Sequence, residues 1–320
     1  MLAAYHETTG GVDVLQVGEV EDPPMPGPDE VRIRVRATSL DRVDLYWREG
    51  SHGMVIRQQP HIGGRDIAGE IDAVGERASS MFSVGDRVVA SGWRTHAELA
   101  LAPAMLTFPM PACCTFEEAA AVPTAGRSAA AALLERARIE PGEIVLVTAA
   151  GSGVGSFAVQ IARASGCTVV ATAAAKKLGR ALEIGAHAAV DHYQPDLVDA
   201  IYAATRGHGV DVALDHVGTP LWEPVIKVLA PNGRFVTTGV TAGHRVSLHL
   251  GQVFVRGLTI TGIGRPTDAE IRETLRNLLQ LIEARMVRPI VSEVLPLREI
   301  ARAHELMHRS AFFGKIVLVP

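Results

Sequence analysis

The first 120 residues carry short runs in which apolar side chains alternate with polar ones. Residues 31–38 (VRIRVRAT) put valine or isoleucine on one face and arginine on the other, the period of a half-buried strand. Residues 68–74 and 86–90 are further strands, separated by turn signals at Gly75 and Gly85-Asp86. Together they predict a small antiparallel barrel or sandwich. Residues 117–121 and 127–137 are alanine-rich and helical, interrupted by Pro123.

From Glu143 the pattern changes to strands alternating with helices. Strands are expected at 144–149, 168–173, 188–190, 210–215, 234–238 and 258–262, and helices at 153–165, 176–184, 197–205, 220–229 and 268–284. That order predicts an α/β fold with a doubly wound parallel sheet. After Arg288-Pro289 the chain returns to a strand, a helix at 298–310 and a strand at 315–319, expected to rejoin the first domain.

The most informative segment is 145–155, VLVTAAGSGVG, which runs from an apolar strand through a glycine-rich turn into a helix. Glycines let the backbone approach a pyrophosphate, whose charge then meets the unpaired N–H groups of the helix start. The spacing is not a clean GxGxxG: with Gly155 as the third glycine, Ala150 and Ser152 fill the first two places. The turn also nearly matches the TGxxxGxG of short-chain dehydrogenases. Those proteins need a Tyr-x-x-x-Lys pair, whereas Tyr193 is followed by Leu197 and Tyr202 by Arg206.

The strand after the turn should end in Asp or Glu if it is to hold the 2′-hydroxyl of NAD. Residues 167–177 read CTVVATAAAKK, without a carboxylate. Lys176 and Lys177 stand where a 2′-phosphate needs positive charge, or else they open a solvated helix. NADP(H) is the expected cofactor.

At 320 residues the chain has room for two domains. A net charge of −4 leaves no basic footprint for nucleic acid, which is not expected as a partner. Cys113, Cys114 and Cys167 have no metal or disulfide spacing; they are expected to pack, in a reducing compartment. The start, MLAAYHETTGG, lacks a signal-peptide pattern, and no apolar run nears 18 residues, so a cytoplasmic protein without membrane partners is expected.

Several segments recur in one order: DRVDLY at 41–46 with Arg48 and Gly50, GRDIAG at 64–69, VGDRV at 84–88, the glycine turn, GVD at 209–211 with Asp215, and GKIVL at 314–318. In this the chain resembles the medium-chain dehydrogenase/reductase superfamily, specifically its zinc-independent quinone oxidoreductase-like branch, over essentially its full length. The resemblance implies a Rossmann dinucleotide-binding domain at 124–264 and a GroES-like, mostly antiparallel β-barrel catalytic domain at 1–123 and 265–320. Zinc-dependent relatives place a cysteine near 41, Gly-His-Glu near 64–66 and a four-cysteine lobe after about 90. Here stand Asp41, Gly64-Arg65-Asp66 and a cysteine-free stretch at 91–97, with Arg65 competing for the Asp66 carboxylate. No metal site is expected.

By the same resemblance, Asp41 and Tyr46 line the pocket near the nicotinamide. Tyr46 would hydrogen-bond a carbonyl oxygen or supply a proton, or is a half-buried aromatic at a helix start. Ser128 falls near the nicotinamide ribose; Ser152, Gly153, Val154 and Gly155 hold the pyrophosphate; Ala173, Lys176, Lys177, His192 and Tyr193 surround the adenosine end. Gly239, Val240, Gly262, Ile263 and Gly264 lie at C-terminal strand ends, and Lys315 completes the cofactor set. Residues 254–264 (FVRGLTITGIG) are β-rich, and a homodimer through the strand from Leu258 to Gly262 is expected.

The leading expectation is an NADPH-dependent reductase passing hydride to a small-molecule acceptor, a quinone or an α,β-unsaturated carbonyl compound. A non-catalytic NADPH-binding protein and an enoyl-thioester reductase remain open. A zinc alcohol dehydrogenase is disfavoured by the missing ligands.

Overall fold

The arginine-valine alternation at 31–38 sits inside an eleven-residue strand, Glu30–Leu40, whose Val31, Ile33, Val35 and Ala37 point into a core. The computed structural model describes residues 1–56 and 58–320. Two compact units divide them: Met1–Ala125 with Thr267–Arg285 and Pro289–Pro320, and Gly126–Pro266 with Met286–Arg288.

In the first unit Glu30–Leu40 is the centre of a mostly antiparallel seven-stranded sheet. Lys315–Val319 flanks it on one side, with Val291–Pro296 beyond. Asp66–Val74, Arg87–Ser91 and Thr107–Pro109 follow on the other, and Leu99–Pro103 pairs back onto Glu30–Leu40. Val31, Ile33, Ile67, Ile71, Phe82 and Val88 fill the space between. The register sets Ser39 opposite Asp66 and Leu40 opposite Ile316, so the ends of three strands converge at one point.

Helix Arg42–Glu49 begins right there. Asp44 Oδ2 accepts the Asp41 amide at 2.8 Å, and Gly50, in the left-handed region at φ 66°, ends it. Leu45 and Arg48 face inward. Behind the helix lies a small cavity of about 10 Å³ lined by His6, His61, His96, His304 and Asp44.

The second unit is built on six parallel strands, in spatial order Ala188–Asp191, Thr168–Ala173, Ile144–Val147, Val210–Asp215, Leu229–Thr237 and Thr259–Gly262. That is the doubly wound order 3-2-1-4-5-6, in which ligands bind beyond the carboxyl ends of the strands. Buried on both faces, the strands read as unbroken apolar runs such as Val145, Leu146 and Val147.

One expectation is corrected here. Residues 254–256 are not strand: they close a helix, Leu250–Arg256, whose start is capped by the His249 ring accepting the Gln252 amide and whose end is Gly257 at φ 63°. The helical stretch does break before Pro123: one helix ends at Ala120, Pro123 opens the next, Pro123–Ala130, where its missing N–H costs nothing, and the chain continues as a π-helix over Ala131–Ala137. Among the described residues no helix is long and apolar enough to cross a membrane.

Candidate active site

Strand Ile144–Val147 delivers the chain into the glycine turn, which its neighbours hold. Thr148 Oγ1 donates to Asp215 Oδ1 at 2.7 Å, and the Ala150 amide donates to Thr172 O at 2.8 Å. Ala149 takes φ 46°, and a Cβ on Gly155 would stand 2.4 Å from the Ala149 oxygen. Only glycine allows this approach of helix to strand. Ser152 caps helix Gly153–Ala164 by accepting the Gly155 amide at 2.9 Å. Gly153 and Val154 lead the helix, where N–H groups have no intrahelical acceptor and the dipole favours an anion.

His216, buried at the end of Val210–Asp215, was not singled out by sequence. Its Nε2 lies 2.8 Å from Ser152 Oγ. Its carbonyl accepts both the amide and the hydroxyl of Thr241, each at 3.1 Å, and so ties the glycine turn to the segment that carries Gly239 and Val240. Burial raises the Asp215 carboxyl, opposed by Thr148 and the Gly218 amide. The only sequence sign of His216 was its place after Asp215.

The neighbouring strand, Thr168–Ala173, stops at buried Ala173, whose carbonyl accepts the His192 amide at 3.2 Å. Lys176 and Lys177 follow in a short 3₁₀ turn, Ala175–Lys177. Burial, with Lys176 beside it, lowers the Lys177 ammonium. Burial likewise lowers His192, on which the Lys177 charge acts. Tyr193, edge-on to His192 with ring centres 4.4 Å apart, is 79% exposed. Beyond the last two strands, the Ile263 amide donates to Thr237 O at 3.3 Å and Gly264 takes φ 70°. Ser128 is buried in Pro123–Ala130.

The first unit holds a different constellation. Lys315, 2% exposed, is ion-paired with both Asp41 and Asp66, at 3.4 Å from Asp66 Oδ2. Asp66, fully buried, also accepts the Ser39 hydroxyl at 2.7 Å, the Thr124 hydroxyl at 2.6 Å and the Thr124 amide at 3.0 Å. Burial alone would lower Lys315, but Asp41 and Asp66 outweigh it and hold the ammonium above its ordinary value. Burial, with Asp66 and Asp44 nearby, raises Asp41 well above the usual carboxylate range. Asp41 Oδ2 is buried and meets no hydrogen-bond partner among the described residues.

One turn on, Tyr46 is half-buried and stacked on His52, with ring centres 3.9 Å apart. Burial raises its hydroxyl, with Glu49 adding and Arg42 opposing.

Two family models match: alcohol dehydrogenase GroES-like domain over residues 27–131 and zinc-binding dehydrogenase over 153–284. A quinone oxidoreductase of Sus scrofa is 32% identical over 97% of this chain and 95% of its own length. The chain belongs to the medium-chain dehydrogenase/reductase superfamily, in its quinone oxidoreductase-like branch.

Members of the superfamily share the whole architecture. A structure titled as an NAD-dependent alcohol dehydrogenase matches with a TM-score of 0.91 at 33% identity, and Escherichia coli quinone oxidoreductase complexed with NADPH with 0.89 at 28%; each match covers 100% of both chains. Within this dehydrogenase/reductase frame the sequence-derived residues sort by unit. The turn, Ala173, both lysines, His192, Tyr193 and the residues at 239–240 and 262–264 all stand at carboxyl ends of strands in the second unit. Lys315 lies in the first unit, its charge taken up by two carboxylates. Arg65 does not compete for Asp66; its guanidinium lies 4.6 Å above the ring of Trp93. Of the adjacent cysteines only Cys114 packs, its thiol pushed up to about 12 by burial and by Cys113, which is exposed.

Proposed function

We propose that this chain is an NADPH-dependent reductase that passes hydride to a quinone or an α,β-unsaturated carbonyl compound without a metal ion. The observation that carries the reading is the Lys315 ammonium held on both Asp41 and Asp66. Where zinc relatives set a cysteine and the glutamate of Gly-His-Glu, Asp41 and Asp66 here share the Lys315 ammonium, whose like charge repels a divalent cation. Without a Lewis acid, oxidation of plain alcohols loses its driving group, while conjugated acceptors carry their own electron sink.

The second unit fits the nicotinamide dinucleotide: a Cβ-free approach at Gly155, a capped helix start, and two lysines in place of the ribose-binding acid. When bound, NADPH supplies the hydride. Gly153, Val154 and Gly155 present the pyrophosphate-binding helix end. Lys176 and Lys177 attract the 2′-phosphate, which speaks against NAD, and Tyr193 offers an exposed ring to the adenosine. Tyr46, its hydroxyl raised by burial, stays protonated at neutral pH and donates to an acceptor oxygen as negative charge develops.

The reading includes a homodimer. Thr259–Gly262 is an edge strand, and beside it Leu250, Phe254 (86% exposed) and Val255 (79% exposed) form an apolar face that water disfavours. The three thiols are unpaired, which suits the cytoplasm. NADPH oxidation with a panel of quinones and enones, on protein assayed for bound metal, tests the proposal. Stoichiometric zinc with turnover of simple alcohols would overturn it.

A further inference from the structure

Cys113 and Cys114 stand side by side where the first unit turns from strand Thr107–Pro109 into a helix, Phe116–Ala120. The Cys114 amide donates to Pro111 O at 3.0 Å and closes the turn. The helix start is fixed by a reciprocal cap: Thr115 Oγ1 accepts the Glu118 amide at 3.3 Å, and Glu118 Oε2 accepts the Thr115 amide at 2.9 Å. Arg87 lies 4.5 Å above the Phe116 ring. Both cysteine backbones are therefore held in place before anything binds.

The side chains differ in exposure. Cys113 is exposed, and Cys114 is 8% exposed. Cys113 Sγ donates to Ile282 O at 3.4 Å, near the carboxyl end of helix Asp268–Glu283. With its own proton spent there, Cys113 accepts that of Cys114, so the two sulfurs are hydrogen-bonded neighbours. Burial raises the Cys114 thiol, with Cys113, Glu118 and Glu283 adding, and keeps it protonated at neutral pH.

This setting narrows what the pair can take. Peroxides and alkylating agents need a thiolate, which is withheld from Cys114. A disulfide fits poorly: the Cys113–Cys114 peptide is trans, which sets the Cα atoms about 3.8 Å apart, whereas disulfides join Cα atoms about 4.4 to 6.8 Å apart. Among the described residues no three His, Cys, Asp or Glu side chains are placed to hold a metal ion, so an ion that needs four ligands is not served. What fits is a soft atom that bonds two sulfurs, keeps them apart and carries off their protons.

We infer that Cys113 and Cys114 form a two-sulfur site for trivalent arsenicals, arsenous acid and its organic derivatives. Two As–O bonds break and two As–S bonds form. Each thiol proton leaves with a hydroxyl of the arsenical as water, and arsenic stays trivalent, so no oxidant is consumed. An uncharged arsenical is not repelled by Glu118 or Glu283. Exposed Cys113 takes the first bond. Cys114, held beside it, then adds at high effective concentration and strengthens the complex by about 100-fold or more over a single thiol. The site lies wholly in the first unit and does not depend on the reductase reading.

The test uses phenylarsine oxide on the wild type and on Cys113→Ser, Cys114→Ala and Cys167→Ser. Intact mass of the wild type should show one phenylarsenic group per chain, which survives excess glutathione and leaves with the dithiol 2,3-dimercaptopropanol. The apparent Kd should rise about 100-fold or more in Cys113→Ser and in Cys114→Ala. It should not change in Cys167→Ser, the control, a buried thiol of the second unit. Because Cys113 is exposed, Cys113→Ser decides the matter even where Cys114→Ala fails to fold by circular dichroism. An adduct that glutathione strips, one that persists in Cys113→Ser, or none on the wild type would overturn the site. So would a pair that closes to a disulfide in dilute hydrogen peroxide yet refuses the arsenical.

Discussion

His216 Nε2 and Ser152 Oγ, 64 residues apart in sequence, meet at 2.8 Å, and the same hydroxyl caps the helix behind the glycine turn. One serine thus fixes both the helix start and His216, whose backbone carbonyl holds Thr241. Ser152→Ala should lower stability by about 1 kcal/mol through the lost cap. It should also weaken NADPH binding several-fold, because the turn loses its tie to His216. Denaturant unfolding and fluorescence titration measure the two effects separately; unchanged NADPH affinity would remove the cap from the binding site.

Lys176 and Lys177 are expected to set cofactor choice. Replacing both by glutamine should raise the Kd for NADPH by about 10- to 100-fold, the worth of one or two charge-assisted hydrogen bonds, and leave NADH within about threefold. Equal dissociation constants for the two cofactors in the unmodified protein would contradict this.

Lys315 is buried between two acids, so its removal strands negative charge where water cannot reach. Lys315→Met should cost about 3–5 kcal/mol of stability, whereas Asp41→Asn, which leaves one carboxylate for one ammonium, should cost less. Urea midpoints with unchanged m-values decide it.

The histidine-lined cavity makes a pH prediction. Burial, with His96, Arg48 and His6 adding, lowers His304 to about 2, and burial lowers His61 to about 4. The folded state therefore binds these protons less readily than the unfolded chain does. Stability is fully present above the unfolded value near 6.5 and falls as pH drops from there, towards about 4 for His61 and about 2 for His304. A buried histidine contributes about 1.4 kcal/mol per pH unit in that window. Urea midpoints at pH 7, 6 and 5 should fall steeply, and His304→Gln should flatten the slope.

For the proposed dimer, Phe254→Glu should give a monomer in sedimentation, with the fold intact by circular dichroism. A wild-type protein that sediments as a monomer would remove the homodimer from the reading.

Much of the scaffold was legible because burial writes itself into local pattern. The unbroken apolar strands of the second unit and the alternation at 31–38 both follow from how many faces a strand hides. What stayed hidden depends on partners far away in sequence. Lys315 reaches Asp41 across 274 residues, and no local signal distinguishes a lysine that meets an acid from one that meets a phosphate. The helix Leu250–Arg256 was missed for a different reason: its β-prone Val253, Phe254 and Val255 were overruled by caps at His249 and Gly257. His216 lacked any pattern of its own, since its role comes from the turn that folds against it.

The position of Lys315 also orders events during synthesis. Translation runs from the amino end, so the parallel-sheet unit leaves the ribosome whole while the other still lacks its last strand. Until residues 315–319 emerge, Asp41 and Asp66 have no counter-ion and Glu30–Leu40 exposes one edge. The sheet begun first is thus the one finished last, and a nascent chain halted before residue 315 would hold a folded parallel-sheet unit and an open, acid-bearing one.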